Sequence, residues 1–287
     1  MDTILRSRSK TVTIGSGQPF CIIGERINPT GRKRLAEELR GGDLSTVALD
    51  THAQVDAGAD VLDVNAGIPL VDEAELLSKM LATIQAESDI PLCIDSSVIE
   101  ALEAGLAVYE GKALVNSVTG EDDRLEEILP LVAKHGAAVI ALANDETGIP
   151  ETPQQRLEIA TKIVKVAGDY GIGPEDIVID PLAMTVGAAT DAVTITLETI
   201  RLIREHLGVN MSLGASNVSF GLPDRHSLNA AFLPMAMAAG LTSAIMSTAK
   251  ICVDEVRAAD LLLGHDPWGS RWIATHRARK AEALAAS

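Results

Sequence analysis

Polar side chains stand at the ends of several short apolar runs in this sequence. Six of these ends carry a carboxylate or an amide, on residues Glu25, Asn28, Asp63, Asn65, Asp95, Asn116, Asp180 and Asn217. Any one of them could cap a helix or a turn, because Asp and Asn commonly do so directly after a strand. Four lie within or just at the end of the run rather than in the turn beyond it, namely Asp95, Asn116, Asp180 and Asn217. These four predict a shared hydrogen-bonding pocket.

The residue types of this predicted pocket indicate a ligand class. Asp95 and Asp180, if ionised, only accept hydrogen bonds, whereas the amide of Asn116 both donates and accepts. Together these groups match a flat heterocycle with an amino-pyrimidinone edge, and a pterin has such an edge. Two carboxylates could instead hold Mg²⁺, but a dedicated magnesium site would have more oxygen ligands or histidines nearby.

Other common catalytic and cofactor-binding signatures are absent from the sequence. The 6 histidines show no HxH or HExxH spacing, and neither GxSxG, GxGxxG nor a P-loop motif occurs. The 3 cysteines, Cys21, Cys93 and Cys252, lie far apart without a CxxC pair, which argues against a disulfide framework and a thiolate metal site. We therefore expect no bound metal.

Charge and composition limit the partners. The 287 residues carry a formal net charge of −16, and only 2% of them are aromatic. A nucleic acid or an anionic membrane needs a cationic surface, and base stacking needs aromatic side chains, so neither is expected as a partner. No apolar run reaches the roughly 18 residues of a membrane span, and the first residues lack the apolar stretch of a signal peptide. The expected location is the cytoplasm.

The elements that would position the polar residues follow from hydrophobic periodicity. Eight β-prone runs alternate with stretches of helical periodicity, at residues 19–27, 60–67, 91–97, 113–118, 137–143, 176–182, 209–217 and 242–247. Parallel strands in this number predict a (β/α)8 TIM barrel, and the lack of a glycine-rich phosphate loop disfavours the rival doubly wound sheet. We expect a single domain over 1–287, with its core at about 19–250 and a helical tail at 254–287.

Six segments taken in order give the sequence a resemblance to a known family. They are GERIN (24–28), DVNAG (63–67), CIDSS (93–97), VNS (115–117), IDPL (179–182) and SNVSFGLP (216–223). This ordered set, within the stretch from about Phe20 to Lys250, resembles the pterin-binding methyltransferases. That family includes the methyltetrahydrofolate:corrinoid protein methyltransferases and the folate-binding module of cobalamin-dependent methionine synthase.

The resemblance implies roles for individual residues. In the family's barrel, the residues matching Asp95, Asn116 and Asp180 hydrogen-bond the pterin ring. The position matching Asn217 is a mobile asparagine that reaches N5 of the folate, which makes Asn217 the candidate catalytic residue. Arg225 matches an arginine near the mouth of the site. The remaining strand-end residues complete the candidate substrate-binding set, with the GERIN segment on the pocket floor: Glu25, Asn28, Asp63 and Asn65.

The resemblance also implies a reaction and a partner. The family moves a methyl group between N5 of tetrahydrofolate and the cobalt of a corrinoid. No DxHxxG corrinoid-binding motif is present in this sequence, so we expect the corrinoid on a separate protein, with tetrahydrofolate or methyltetrahydrofolate as the other substrate. Family analogy predicts a homodimer. One departure is Phe220, where acetogen-type enzymes carry a polar residue.

Other functions on the same barrel are weighed against this one. Dihydropteroate synthase shares the fold and a related pterin pocket, but it has an NxTPDSF-type loop and an SRK-type anion site. Here the corresponding places read INPTGRKR and SNVSFGLP, which favours the methyltransferases. A non-catalytic pterin-binding protein would retain the aspartates yet transfer no methyl group. A metal-dependent aldolase or lyase would be inactivated by a chelator and would bind no folate.

Overall fold

The computed structural model describes the backbone of residues 1–285, and the burial of their side chains except at 278, 279 and 281–285. An antiparallel hairpin precedes a sheet of 8 parallel strands. The hairpin strands are β1 (Asp2–Arg6) and β2 (Thr11–Gly15), and the parallel strands are β3 (Cys21–Ile27), β4 (Val61–Asn65), β5 (Leu92–Asp95), β6 (Leu114–Thr119), β7 (Ala138–Leu142), β8 (Ile177–Asp180), β9 (Asn210–Met211) and β10 (Ser243–Met246). Each predicted run contains one parallel strand, so the predicted (β/α)8 barrel is confirmed.

The sheet closes between its two outermost strands. The strand order β10-β3-β4-β5-β6-β7-β8-β9 leaves β9 and β10 to meet. They do so beyond the short β9, where Gly214 pairs with Ile245 and the Ile245 amide donates to the Leu213 carbonyl at 2.9 Å. Closure places the carboxyl ends of all the strands around one opening.

Helices connect the strands and cover the barrel. They are α1 (Lys33–Arg40), α2 (Ser45–Asp56), α3 (Glu73–Glu87), α4 (Ile99–Val108), α5 (Asp122–His135), α6 (Pro153–Asp169), α7 (Ala192–His206), α8 (Arg225–Ala239), α9 (Lys250–Leu262) and α10 (Ser270–Ala285). Outward strand residues such as Leu62 and Ile179 share one apolar core with the helices. Within the described part of the chain, no helix is both long and apolar enough to cross a bilayer.

Local sequence explains where α6 begins. The side chain of Thr152 accepts from the Gln155 backbone, the Gln155 side chain reaches back to the Thr152 backbone, and Pro153 occupies the start of the helix. This capping box satisfies backbone N–H groups that have no partner inside the helix. The helix start is thereby fixed close to the carboxyl end of the barrel.

The hairpin lies outside the eight predicted runs and packs under the opposite end of the barrel. Leu5 and Ile14 are fully buried against inward-facing strand residues such as Cys93 and Val178. The side chain of Asn210 donates to the Ile14 carbonyl at 2.8 Å, which ties the hairpin to β9. The end opposite the strand carboxyl termini is therefore filled by side chains.

The predicted helical tail at 254–287 consists of the greater part of α9 together with α10, and residues 286 and 287 lie outside the described residues. In α9, the buried carboxylate of Asp260 accepts from the Phe20 backbone at 2.8 Å. Arg257 donates to the Phe20 carbonyl at 3.1 Å and to Asp60 at 3.1 Å. Helix α9 is thus bonded directly to the start of the barrel.

Candidate functional site

A cleft of about 560 Å³ opens at the carboxyl ends of the barrel strands. Its lining consists of Glu25, Arg26, Asn28, Thr30, Arg32, Asp63, Asp95, Asn116, Leu142, Asp180, Gly214, Ser216, Asn217, Phe220, Arg225 and Ile245. This is the end of a parallel barrel at which active sites are built. The cleft brings together all of the predicted site residues except Asn65, which bonds to one of them.

Strand register places Asn65 beside Asp95. Asn65, Asp95 and Asn116 are direct partners on three neighbouring strands. The Asn65 Nδ2 donates to Asp95 Oδ2 at 3.0 Å, and its Oδ1 accepts from the Gly67 amide at 2.9 Å. With donor and acceptor both engaged, Asn65 orients the Asp95 carboxyl within the cleft.

Asp63 holds Asn116 in a similar way. Asp63 precedes Asn65 by two positions, so both side chains lie on the inner face of β4. The Asn116 Nδ2 donates to Asp63 Oδ1 at 3.0 Å. Burial raises the pKa of Asp63 to about 6, although hydrogen bonds from Asn116 and Cys93 oppose the shift. Asp63 fixes which way the Asn116 amide faces.

Asp180 ends β8 and is held by the segment that follows it. Its Oδ1 accepts from the Leu182 amide at 2.7 Å. Burial raises the pKa of Asp180 to about 7, while that hydrogen bond and the positive charge of Arg156 act in the opposite direction. Arg156 is only 3% exposed and donates to the carbonyls of Pro181 at 2.9 Å and Leu182 at 2.8 Å. Sequence reasoning missed Arg156, because an arginine in a helical pattern normally faces solvent.

The remaining carboxyl groups of the cleft have raised pKa values as well. Burial, and then the charge of Asp63, raises the pKa of Asp95 well above its usual range. Burial also raises the pKa of Glu25, against a hydrogen bond from Ser216. Desolvation penalises the ionised form and so favours the protonated form of these two carboxyl groups, which can donate a hydrogen bond as well as accept one. The expectation that Asp95 and Asp180 only accept hydrogen bonds applied to their ionised forms, which burial disfavours.

A one-turn 3₁₀ helix, Ala215–Ser219, carries Asn217 at the mouth of the cleft. The Ser216 hydroxyl donates to Glu25 Oε1 at 3.0 Å, which joins the turn to β3. The Asn217 side chain is exposed, and its amide has no hydrogen-bond partner among the described residues. It lies next to Gly214, where an added Cβ would approach the Asn217 Nδ2 to 3.0 Å. The Asn217 amide is available to a ligand.

Arg225 and Phe220 form part of the rim. Arg225 begins α8, and its Nη2 donates to the Ser216 carbonyl at 2.7 Å. The guanidinium carbon lies 5.9 Å from the centre of the Phe220 ring, a cation–π distance. Phe220 is 68% exposed, so its ring stays free on the outer side. On the floor, Asn28 Oδ1 accepts from the Thr30 amide at 2.9 Å and shapes the loop after β3.

The structure adds apolar and cationic lining residues that sequence reasoning missed. Leu142 and Ile245 lie near the ends of β7 and β10, the two predicted strand ends without a carboxylate or an amide. For both residues, the signal that the sequence offered was their place near the end of a predicted apolar run. Arg32 Nη1 bonds to Asp50 at 2.6 Å and Arg26 lies 3.7 Å from the same carboxylate. Arg26 belongs to the GERIN segment, which was expected on the pocket floor, whereas only the fold shows that Arg32 borders the cleft.

Comparison with known proteins places this cleft in a family. The sequence profile described as "Pterin binding enzyme" matches residues 24–247, which extend from within β3 to just beyond β10. The chain belongs to this family of pterin-binding enzymes. The family resemblance inferred from the ordered strand-end motifs is thereby confirmed.

Two relatives of this pterin-binding enzyme have a named activity. The methylcorrinoid:tetrahydrofolate methyltransferase of Eubacterium limosum is 34% identical over 252 residues, covering 85% of this chain and 92% of the relative. The methionine synthase of Mycobacterium tuberculosis is 36% identical over 246 residues, covering 80% of this chain but only 20% of that protein. The chain thus spans nearly the whole of the first relative and about a fifth of the second.

Solved structures of dihydropteroate synthases share the fold. The Yersinia pestis enzyme with a pterine-sulfa conjugate superimposes with a TM-score of 0.68 at 15% identity, covering 91% of this chain and 98% of that chain. The Vibrio fischeri enzyme gives a TM-score of 0.68 at 16% identity, covering 92% and 100%. At this level of identity the likeness concerns the barrel alone.

The cleft of this pterin-binding enzyme presents hydrogen-bonding groups on its floor and at its mouth. Buried carboxyl groups and one amide line the floor, whereas a free amide and an arginine stand at the mouth. Within the described residues, no group of three or more His, Cys, Asp or Glu side chains is arranged to hold a metal ion. The expectation that no metal is bound stays a prediction.

Proposed function

We propose that this enzyme transfers a methyl group between N5 of tetrahydrofolate and the cobalt of a corrinoid carried by a separate protein. The observation that carries the proposal is the 34% identity to a methylcorrinoid:tetrahydrofolate methyltransferase, which extends over 85% of this chain and 92% of that relative. The cleft supports it, because its floor offers the hydrogen-bonding groups that an amino-pyrimidinone edge requires.

In this proposal the floor of the cleft binds the pterin. Asp95 and Asp180 accept from the N–H groups of the pyrimidine edge, and Asn116 bonds to the ring nitrogens. Asp63 and Asn65 act indirectly, since each fixes the orientation of a floor residue by a hydrogen bond: Asp63 that of Asn116 and Asn65 that of Asp95. Such fixed orientations hold the methyl group in line for attack without further ordering during the reaction.

The outer residues bind the rest of the substrate and complete the wall. Arg225 supplies a positive charge at the mouth, where the glutamate tail of a folate leaves the cleft. Glu25 supports the turn through Ser216, and Asn28 shapes the loop beside it. Phe220 offers an apolar face at the rim, where the related acetogen-type enzymes have a polar residue.

The chemical difficulty of the reaction lies at N5. When the methyl group leaves, N5 gains negative charge unless a proton or a hydrogen bond stabilises it. The free side-chain amide of Asn217 is assigned this role. A donor that bonds N5 more strongly as negative charge develops there lowers the free energy of the transition state more than that of the bound substrate. The corrinoid, as the other substrate, approaches from the open side of the cleft.

The test is an anaerobic spectroscopic assay. Purified protein is mixed with methyltetrahydrofolate and Co(I) cobalamin, and the visible spectrum reports methyl-Co(III) formation. We expect protein-dependent conversion, with a rate on the order of 10² lower in Asn217→Ala but nearly unchanged folate affinity. Asp95→Ala, in contrast, should mainly weaken folate binding.

Three other outcomes would change the assignment. Equal losses of affinity in both variants, without a separate rate defect, would contradict the division of roles. Saturable folate binding without turnover, even when corrinoid proteins are supplied, would favour a non-catalytic pterin-binding protein. Formation of dihydropteroate from a pterin diphosphate and 4-aminobenzoate would instead favour the synthase reaction of its structural neighbours.

We further propose that the enzyme acts in the cytoplasm as a homodimer that binds a corrinoid protein and no nucleic acid. The net charge of −16 supports the last point. Apolar side chains exposed on α8 and α9, including Met235 and Ile251, offer surface for pairing. Measurement of the molar mass in solution by light scattering tests the dimer.

A further inference from the structure

A buried asparagine of α8 lies against the turn that carries Asn217. Asn229 is only 3% exposed. Its Nδ2 donates to Ser216 Oγ at 3.1 Å, and its Oδ1 accepts from Ser219 Oγ at 2.7 Å. Ser216 and Ser219 stand on either side of Asn217 in the 3₁₀ turn. One buried side chain therefore holds both flanks of the segment.

The directions of these hydrogen bonds require an amide at position 229. The Ser216 hydroxyl donates to Glu25 Oε1 at 3.0 Å, so its oxygen is left to accept from Asn229. Arg225 Nε donates to the Ser219 oxygen at 3.2 Å. The Ser219 hydroxyl in turn donates to Asn229 Oδ1 at 2.7 Å, which is closer than its other acceptor, the Ser216 carbonyl, at 3.3 Å. Only a side chain that donates at one end and accepts at the other satisfies both serines.

The backbone hydrogen bonds of Asn217 itself stay within the turn. The backbone N–H of Asn217 donates to the Gly214 carbonyl at 3.1 Å, and its backbone carbonyl accepts from the Phe220 N–H at 3.1 Å. Both bonds are local to the turn. The segment after β8 bonds to two residues on the C-terminal side of Asn217: Val186 N donates to the Val218 carbonyl at 3.0 Å, and Thr185 Oγ1 donates to the Phe220 carbonyl at 2.8 Å. The side-chain network is therefore what links the Asn217 segment to α8 and β3.

We propose that Asn229 is a positioning residue for methyl transfer. It holds the turn so that the unpartnered amide of Asn217 faces the methylated nitrogen, and it does not itself line the cleft. The inference rests on the proposed function, because it assigns Asn229 an effect on the rate that is exerted through Asn217. Small displacements of a reacting group lower rates steeply, which makes such an effect measurable.

The primary test is Asn229→Ala in the anaerobic assay. We expect kcat to fall roughly 10- to 100-fold, because Asn217 is no longer held in place. The KM for methyltetrahydrofolate should stay within about twofold of the wild-type value, because the residues that bind the pterin lie on β5, β6 and β8, away from α8. In an Asn217→Ala background, Asn229→Ala should cause no further loss, since residues that act through one another are not additive.

The chain offers a matched control in Asn210. This asparagine is 2% exposed and donates to Thr3 at 2.9 Å and to Ile14 at 2.8 Å, at the opposite end of the barrel. Asn210→Ala should lower the melting temperature without a selective fall in kcat. If Asn229→Ala does not fold, Ser219→Ala is the alternative, because it removes one of the two hydrogen bonds that Asn229 makes to the turn. It should show the same pattern with a smaller fall in kcat.

The outcomes separate the positioning role of Asn229, called the clamp for its bonds to Ser216 and Ser219, from the proposed function. An equal loss of kcat with and without Asn217, or a loss of stability alone as in Asn210→Ala, overturns the positioning role. If the wild-type enzyme transfers no methyl group, the proposed function fails, and amide hydrogen exchange then decides about the clamp. Faster exchange at residues 217–220 in Asn229→Ala, but not in Asn210→Ala, supports it, and unchanged exchange overturns it.

Discussion

At the scale of single residues, the buried carboxyl groups make ligand binding depend on pH. The pKa of Asp180 is raised by burial from 3.8 to about 7, so below pH 7 its protonated form predominates. A pterin edge that donates hydrogen bonds requires the ionised form. Binding then releases a proton, and affinity increases as the pH rises through the pKa of Asp180.

We predict that methyltetrahydrofolate binds about tenfold more weakly at pH 6 than at pH 8, since one proton changes affinity tenfold per pH unit below the pKa. Titrations followed by calorimetry at several pH values measure this. Asp180→Asn should bind more weakly and should lose most of this tenfold change in affinity between pH 6 and pH 8. An affinity that is constant or falls between pH 6 and pH 8 would contradict the assignment of Asp180 as an acceptor.

Some site residues could be predicted from the sequence and others could not, for a physical reason. Asp95, Asn116 and Asp180 interrupt apolar runs, and a polar residue inside such a run is visible in one dimension. Arg156 and Asn229 lie in helices, where a polar residue normally marks the solvent face. Only packing shows that both are buried, at 3% exposure each.

At the scale of elements, the junction between β9 and the turn that carries Asn217 depends on a glycine. An added Cβ at Gly214 would lie 3.0 Å from the Asn217 Nδ2, closer than ordinary contacts. Gly214 also pairs with Ile245 where the barrel closes. The glycine therefore leaves room for the Asn217 amide beside the closing strands.

We predict that Gly214→Ala lowers kcat about tenfold or more while folate affinity changes little, because the added alanine side chain displaces the side-chain amide of Asn217. Steady-state kinetics in the anaerobic assay measure both values. Gly168→Ala is the matched control, since an added Cβ there meets no atom within 4 Å. Wild-type kcat in Gly214→Ala would show that Asn217 does not need this space.

Helices and strands could be predicted where a single hydrophobic period dominates a segment, and less well where the chain passes from a strand into another conformation. Each barrel strand falls in a predicted run, but the run at 209–217 contains only β9, of 2 residues. Its second half becomes the 3₁₀ turn, because the bonds of Ser216 and Ser219 to Asn229 replace strand pairing there. The hairpin strands are short and precede any helix, so the strand–helix alternation that predicted the barrel does not include them.

At the scale of the whole molecule, the two ends of the barrel have different tasks. The carboxyl ends of the strands surround a polar cleft with buried carboxyl groups, which is costly in stability. The opposite end is filled by apolar side chains of the hairpin and the strands, among them Leu5 and Ile14. Stability and ligand binding should therefore respond to different substitutions.

We predict that Leu5→Ala lowers the free energy of unfolding by about 2–5 kcal/mol, because the fully buried side chain leaves a cavity under the barrel. Urea denaturation measures this loss, and Leu49→Ala, at an exposed position of α2, should stay within about 0.5 kcal/mol of the wild type. Folate affinity of folded Leu5→Ala should equal that of the wild type. A large loss of folate affinity in the folded Leu5→Ala variant would mean that the hairpin shapes the cleft through the length of the barrel, and that the two ends of the barrel are coupled.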